Sequence, residues 1–272
     1  MITVVGGTGR LGRLVTAALL ATDRQVRVVS RHAGTDPTGP HPALGGAQLV
    51  TADVAVPRQA RAAIAGSTVV VAAMTGMDPR RGAGPQAVDR DAAIVLIDAA
   101  AQAGCHLILV SVVGAAADSP IELFQMKAAA EEHLRATDVP WTIIRATAFT
   151  ELWNDIITSS TGRDGRARLL GPARNPMNFV PVGHVTTAVL TAIDTTPTGQ
   201  VINVYGDEEL SLTDVATRLT GHPPRHLPAA MVRAIGWAAR PLAPGLARIA
   251  RQAIAMEDLD LTRPEQPRII PR

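Results

Sequence analysis

The sequence contains very few cysteines, lysines and aromatic residues. The shortages of cysteines and of aromatic residues each exclude a class of function. Cys105 is the only cysteine, which excludes a disulfide framework and a cysteine-built zinc site. Aromatic residues make up 3% of the 272 residues, too few for base stacking, and acidic residues are scattered among the basic ones. No window offers the ~20 uncharged apolar residues of a membrane span, and no basic leader precedes the first apolar run. These features predict a cytoplasmic protein with neither a nucleic-acid nor a membrane partner.

Lysine is almost absent from a chain that is otherwise rich in positive charge. Lys127 is the only lysine among 26 basic residues, so arginine supplies every other cation. A compact ammonium enters sites that a planar guanidinium cannot. Lys127 is therefore a candidate for a chemical role, and the alternative is one lysine that survives by chance.

Apolar runs of strand length alternate with segments of helix length through the first half of the chain. Nearly continuous apolar strands that alternate with helices are typical of a parallel sheet covered on both faces. We therefore predict an α/β fold with a doubly wound parallel (Rossmann) sheet over residues 1–150, to which about residues 178–206 return. A smaller α/β substrate lobe with C-terminal helices is predicted over residues 151–272. The predicted strands are Ile2–Val5, Gln25–Val29, Gln48–Thr51, Thr68–Ala72, Leu107–Ser111 and Trp141–Arg145, and the predicted helices are Leu11–Thr22, Pro57–Ala65, Gly84–Ala103 and Pro120–Thr137.

The remaining segments are less regular. Asp36–Gly46 is rich in proline and glycine and predicts a surface loop, and 161–176 predicts an exposed turn or hairpin. Ser211 and Asp214 predict a capped helix start before the helical segment 210–219. The further predictions are a helix over 184–193, a strand over 200–205, and amphipathic helices over 228–256 that break at Pro241 and Pro244.

The first strand runs into a glycine-rich turn, GGTGRLG, which opens the first helix. Glycines allow a tight turn and a close backbone approach, and a helix start offers free N–H groups to a pyrophosphate. Strand, turn and helix together predict a dinucleotide site, and a purely structural turn is the alternative. The residues assigned to it are Gly6, Thr8, Gly9, Arg10, Leu11 and Gly12.

The second strand ends at Ser30 and Arg31, where an acidic residue would otherwise bind an adenosine ribose. A guanidinium there pairs with a 2′-phosphate, so NADP(H) is favoured over NAD, although a surface arginine without a specific role is the alternative. The ends of the third and fourth strands should lie beside the adenosine and nicotinamide ribose. They contribute Asp53, Val54, Ala73 and Met74 to the predicted cofactor site, and Thr75 to the substrate site.

Taken together, these blocks resemble the short-chain dehydrogenase/reductase superfamily, in particular its atypical, NmrA-like NAD(P)-binding branch. The resemblance rests on GGTGRLG, on Arg31, and on the blocks at 88–115, 127–149, 179–185 and 201–216. It implies a Rossmann domain, a small C-terminal substrate lobe, and a Lys127 whose ammonium binds the nicotinamide ribose. It also matches Ser111 to the active-site serine of the family, where a hydroxyl that merely caps the strand end is the alternative.

The sequence departs from the family at the catalytic tyrosine. That residue stands four positions before the lysine, where this chain has Leu123, and its only tyrosine is Tyr205. Ala93 likewise stands where extended members often carry an asparagine. Losing a positioned acid typically costs ~10²–10⁴ in rate, which argues against reduction of simple ketones. Quinones and conjugated enones delocalise the developing charge, so their reduction is the chemistry that Ser111 and Lys127 can support.

Phe149 and Trp153 follow the sixth strand and predict an apolar wall for a flat aromatic substrate, with ordinary core packing as the alternative. No histidine pair has metal-ligand spacing, so no metal site is predicted. We therefore predict an NADPH-dependent reductase of a small hydrophobic or aromatic molecule, acting as a monomer or homodimer. An NADP(H)-sensing regulator and a redox-neutral isomerase, lyase or cyclase remain as alternatives.

Overall fold

A computed structural model of the protein describes residues 1–31, 44–77, 83–240 and 242–263. The chain forms two compact units. The first comprises residues 1–146 and 181–204, and the second comprises residues 147–180 and 205–272. The sequence-based prediction placed a boundary at residue 150, with about 178–206 returning to the first part.

The first unit is built on a parallel sheet of seven strands in the order β10-β6-β5-β4-β1-β2-β3. The order reverses between β1 and β4, which makes this the switch point of the sheet. The predicted doubly wound α/β fold is confirmed. The strands are β1 (Ile2–Val5), β2 (Val26–Ser30), β3 (Gln48–Thr51), β4 (Val69–Ala72), β5 (His106–Val112), β6 (Trp141–Ala146) and β10 (Gln200–Val204).

Helices cover both faces of this sheet. Successive strand residues point to opposite faces, and both Ile108 and Leu109 of β5 are buried, so neither face is open to water along this strand. A core of apolar side chains from α2, α3 and α4 lies against one face, and α1 packs beside α6. The helices are α1 (Arg10–Leu20), α2 (Pro57–Ile64), α3 (Ala93–Ala103), α4 (Glu122–Arg135) and α6 (Val182–Asp194), and a π-helix (Gln86–Ala92) precedes α3.

The second unit contains short strands and four helices among its described residues. One three-stranded sheet has the order β11-β9-β7, and β12 pairs with β8. The strands are β7 (Ala148–Phe149), β8 (Arg168–Leu170), β9 (Met177–Val180), β11 (Glu208–Leu210) and β12 (Arg225–Leu227). The helices are α5 (Thr150–Ser159), α7 (Leu212–Thr220), α8 (Ala229–Ala238) and α9 (Pro244–Ala255), followed by a 3-10 turn (Met256–Asp258).

Two local predictions in the second unit had different outcomes. Ser211 caps α7 as predicted: its Oγ accepts the Asp214 N–H at 3.1 Å, and the Asp214 carboxylate accepts the Ser211 N–H at 3.0 Å. Of the exposed turn or hairpin predicted over 161–176, the turn is present, since Gly162 donates its N–H to the Arg166 carbonyl at 3.0 Å, but no hairpin forms. Strand β8 of this segment pairs in parallel with the distant β12, a long-range contact that turn residues do not reveal.

The predicted loop Asp36–Gly46 lies outside the described residues except for its end, and the predicted helix break at Pro241 lies outside them entirely. Pro244 is described, and it begins α9 at the first helical position, where proline costs no hydrogen bond. Within the described ranges, every helix is too short or too polar to cross a bilayer.

Candidate cofactor site

The glycine-rich turn follows β1 and opens α1. Gly6 has a φ of +80°, a left-handed conformation that glycine adopts without strain. A Cβ at Gly6 would lie 2.9 Å from the Ala73 carbonyl oxygen, and a Cβ at Gly12 would lie 2.6 Å from the Gly7 Cα. Gly9 is the N-cap of α1 and provides no side chain over the first turn, which also lacks an acidic residue. The helix start therefore offers its N–H groups and positive dipole end to an anion.

The turn is joined to the end of β2 by two hydroxyls. Thr8 Oγ1 and Ser30 Oγ lie 3.0 Å apart, and Thr8 is buried. Ser30 is the last residue of β2, the strand that pairs with β1, and Arg31 follows it with an exposed side chain. Arg10 and Leu11 begin α1 beside this turn. The predicted cofactor residues of the first two strand ends therefore share one edge of the sheet.

The loops after β3 and β4 continue the same edge. Asp53 Oδ1 accepts the Ala55 N–H at 3.0 Å, and Val54 is buried. Ala73 donates its N–H to the Val5 carbonyl at 2.9 Å, which extends the pairing of β4 with β1. The loop that carries Ala73 and Met74 thus lies directly against the glycine turn at the switch point of the sheet.

Lys127 projects from α4 with its ammonium buried at this edge. Its Nζ donates to the Val110 carbonyl at 2.8 Å and to the Met74 carbonyl at 3.3 Å, and lies 2.9 Å from Asp89 Oδ1. The Lys127 and Asp89 side chains are 8% and 0% exposed, so water screens this ion pair little. Asp89 Oδ1 has no well-aligned hydrogen bond among the described residues, which leaves the ammonium as its compensating charge.

The second oxygen of Asp89 holds the loop after β4. Asp89 Oδ2 accepts the Gly76 N–H at 2.8 Å and the Thr75 hydroxyl at 3.4 Å. Asp89 lies in the π-helix, a rare conformation that is frequent at functional sites. One carboxylate therefore links Lys127 to the segment next to the glycine turn, and it engages Thr75, which the sequence assigned to substrate.

Ser111 is buried near the end of β5 and donates its hydroxyl to Glu131 Oε1 at 2.6 Å. Arg145 binds Glu131 through two nitrogens, at 2.9 and 2.5 Å, and Arg135 binds Oε2 at 2.8 Å. Burial raises the pKa of Glu131, but the hydrogen bonds from Arg145 and Ser111 outweigh it, and the pKa lies below its usual value. Because its single hydrogen is engaged, Ser111 offers a substrate only lone pairs in this arrangement.

The two predicted aromatic residues belong to the second unit. Phe149 ends β7 and Trp153 lies in α5, and both are half-buried. The only tyrosine, Tyr205, also belongs to this unit, where its ring lies 5.5 Å from the Arg263 guanidinium. Position 123, in the first turn of α4, carries a half-buried leucine. The role of Phe149 and Trp153 at a substrate stays a prediction.

A protein-family model described as NAD(P)H-binding matches residues 6–167, more than half of the chain. The matched range begins at the glycine turn and contains Asp89, Lys127 and Glu131. The chain belongs to this NAD(P)H-binding family. The predicted membership of an NAD(P)-binding family is thereby confirmed.

Solved structures share the fold of this NAD(P)H-binding protein. A nucleoside-diphosphate-sugar epimerase from Staphylococcus aureus aligns over 95% of this chain and 92% of its own, with 17% identity and a TM-score of 0.71. A UDP-glucose 4-epimerase from Thermus thermophilus, solved with NAD, aligns over 84% and 85%, with 18% identity and a TM-score of 0.68. A putative epimerase from Burkholderia cenocepacia aligns over 83% and 82%, with 22% identity and a TM-score of 0.64. A search of curated protein sequences finds no match.

Sequence reasoning missed the two carboxylates that organise the site of this NAD(P)H-binding protein. Glu131 follows Lys127 by four residues, and that spacing places both on one side of α4, which was a usable signal. Asp89 lies within a segment that was predicted to be helical. No local sequence pattern indicates that this segment is a π-helix or that Asp89 contacts Lys127. Arg145 was read only as the end of a strand, although a charged residue inside an apolar run suggests a buried partner.

The residues of this edge fit a dinucleotide. The glycine turn leaves an uncapped helix start for the pyrophosphate, and Arg31 provides an exposed cation beyond β2. Lys127 provides a buried ammonium at the same edge of the sheet. Its hydrogen bonds to the Met74 and Val110 carbonyls fix its position. The arrangement can therefore bind a nucleotide along this edge of the sheet, with the Lys127–Asp89 ion pair beyond the loop that carries Met74.

Proposed function

We propose that the protein is an NADPH-dependent reductase of the atypical, NmrA-like short-chain type, acting on a quinone-like, enone-like or polycyclic aromatic molecule. The observation that carries the proposal is the position of the Lys127 ammonium. It bonds to the Met74 carbonyl, next to Ala73, whose carbonyl lies against Gly6. The nucleotide cradle and the only lysine are therefore connected through a single loop.

Three groups of residues hold the cofactor in this proposal. Gly6, Gly9 and Gly12 bring the backbone and the start of α1 to the pyrophosphate, and Arg31 pairs with the 2′-phosphate of the adenosine ribose. Lys127 lies toward the nicotinamide ribose, where Asp89 fixes its direction. When bound, NADPH supplies a hydride to the substrate.

The residue set decides which substrates are suitable. No phenol stands at position 123, so the chain offers no proton donor of the usual kind to an alkoxide. The Ser111 hydrogen is bonded to Glu131, which makes Ser111 a poor substitute. Asp89 largely neutralises the Lys127 ammonium, so little positive field is left for a localised alkoxide. Quinones and conjugated enones delocalise the developing charge themselves, and they therefore suit this site better than isolated ketones do.

Two alternatives have specific support. Lys127 is fully occupied by Asp89, Val110 and Met74, which suits a sensor that binds NADP(H) without turnover. Several fold neighbours are sugar-nucleotide epimerases, and one from Thermotoga maritima was solved with UDP-glucose, which suits a redox-neutral reaction. Against the second alternative, epimerisation through a keto intermediate needs a base, and position 123 carries no tyrosine.

The test is the oxidation of NADPH followed at the nicotinamide absorbance, with a panel of quinones and enones. The proposal predicts oxidation by wild type and a loss of rate in Lys127→Met, while Arg58→Gln, an exposed change on α2, leaves the rate unaltered. Tight NADPH binding without oxidation by any substrate would reject the reductase and favour the sensor. Product formed from a sugar nucleotide without an absorbance change would favour the redox-neutral alternative.

A further inference from the structure

The helices α8 and α9 form a helical hairpin, described over 229–240 and 242–255, whose charged side chains are all positive. From Val215 to Met256 the chain has no aspartate or glutamate. Two arginines before the hairpin are neutralised, because Arg218 pairs with Glu208 and Arg225 pairs with Asp164. The hairpin itself carries Arg233, Arg240, Arg248 and Arg251.

Three of the hairpin arginines converge on one cleft. The cleft has a volume of about 240 Å³, lies between α8 and α9, and is lined by Arg233, Arg240 and Arg251 together with Trp237 and Ile254. None of these three guanidinium groups has an ion pair or hydrogen bond with a described residue. Guanidinium groups beside apolar surface match a phosphate that is attached to an apolar body.

The same hairpin carries the two most exposed large apolar side chains of the described residues. Leu242 is 91% exposed and Trp237 is 74% exposed, more than any other large apolar side chain in the described ranges. Leu246 and Ile249 follow Leu242 at intervals of four and three residues and are exposed as well. Leu246 and Ile249, three residues apart in α9, lie on one side of that helix, and Leu242 lies just before its start. We call these three exposed residues the apolar stripe of the hairpin.

We propose that the α8–α9 hairpin docks on a membrane surface that contains anionic phospholipid. Arg233, Arg240 and Arg251 bind headgroup phosphates, and Trp237 and Leu242 enter the boundary between headgroups and acyl chains. Basic amphipathic helices with tryptophan and leucine on the apolar side bind bilayers in this way, without spanning them. The proposal departs from the sequence-based expectation of no membrane partner, which rested on the absence of a spanning segment.

The charge of the hairpin argues against a second copy of the chain as the occupant. A twofold interface places the same patch of both subunits together, so arginines would face arginines with no carboxylate from Val215 to Met256 to compensate. A lipid surface instead supplies negative charge at every arginine and accepts apolar side chains at the turn. It also needs no groove of matching shape.

The experiment measures binding of the full-length protein to sedimented vesicles. Vesicles of phosphatidylcholine alone are compared with vesicles in which one lipid in three is phosphatidylserine. We expect binding to the anionic vesicles only, and weaker binding as salt is added. Each arginine near an anionic surface is worth about fivefold in partitioning, so R233Q/R240Q/R251Q should weaken binding about a hundredfold.

Matched variants separate the hairpin from general charge. R58Q/R61Q/R218Q removes three arginines elsewhere and should weaken binding far less than the hairpin triple. W237A/L242A should weaken binding about tenfold or more, because both side chains would leave the boundary region, whereas exposed Leu49→Ala should have no effect. All these side chains are exposed, so an unchanged melting temperature is the expected check on folding.

Three outcomes would overturn the proposal. The first is that wild type fails to bind the anionic vesicles at low salt. The second is that the two arginine triples weaken binding equally. The third is a concentration-dependent dimer in solution that W237A/L242A abolishes, because it would assign the stripe to a second copy. Binding that W237A/L242A reduces and the control changes leave intact would support the lipid surface.

Discussion

Replacing Asp89 by asparagine tests whether the buried ion pair organises the site. The substitution keeps the shape of the side chain and an oxygen for the Gly76 N–H, but it leaves the Lys127 ammonium without a counter-charge. Removing one partner of a buried pair costs ~3–5 kcal/mol. Since the Val110 and Met74 carbonyls still accept from the ammonium, we expect the lower end, about 3 kcal/mol of unfolding free energy.

The assay is equilibrium unfolding in urea, with Asp98→Asn as the control. Asp98 also pairs with a basic side chain, His133, but it is 51% exposed, and such pairs contribute about 0–1 kcal/mol. The double variant D89N/K127M should lose less stability than the sum of its two single variants, by about 1–3 kcal/mol. Equal effects of D89N and D98N, or strict additivity in the double variant, would refute the view that this pair is a single energetic unit.

Three further predictions concern other parts of the site. Glu131→Gln should lower the free energy of unfolding by about 3 kcal/mol at neutral pH. The pKa of Glu131 in the folded state lies below its unfolded value of about 4.3, so the stabilisation from the ionised carboxylate is present above that pH and is lost as the pH falls through the folded pKa. Denaturation curves of wild type and variant should therefore converge in acid. Arg31→Ala should weaken NADPH by ~1–3 kcal/mol and leave NADH unchanged in fluorescence titrations, with Arg58→Ala as control, and equal losses for both nucleotides would mean that Arg31 does not bind the phosphate. Gly12→Ala should lower the melting temperature, because its Cβ would lie 2.6 Å from the Gly7 Cα and overpacking costs ~1–3 kcal/mol, and an unchanged melting temperature would contradict that packing.

The sheet was predictable from sequence because its central strands, β1, β4 and β5, are nearly continuous apolar runs. The predicted strands Ile2–Val5 and Gln48–Thr51 have the observed bounds, and the other predicted strands of this sheet differ by one residue at one or both ends. The glycine turn was equally predictable, since the strand, the spaced glycines and the helix start follow one another within residues 2–20, although the close approach of Gly6 to Ala73 joins distant segments. Local rules of this kind operate over a few residues, which a single sequence displays directly.

Contacts between distant segments were not predictable in the same way. β8 pairs with β12, and Asp89 meets Lys127, through chain segments that no short pattern connects. Ser111 could be matched to a family position, but its partner Glu131 becomes evident only when α4 is packed beside β5. The sequence therefore indicates which residues carry chemistry, whereas the structure shows how their hydrogens and charges are already engaged.

The most direct test of the account is a calorimetric titration of the wild-type protein with NADPH and with NADH at one ionic strength. The account predicts saturable binding of one NADPH per chain, tighter than NADH by about fivefold or more, because one charge-assisted pair at the 2′-phosphate is worth at least ~1 kcal/mol. No heat with either nucleotide, or tighter binding of NADH, would contradict it.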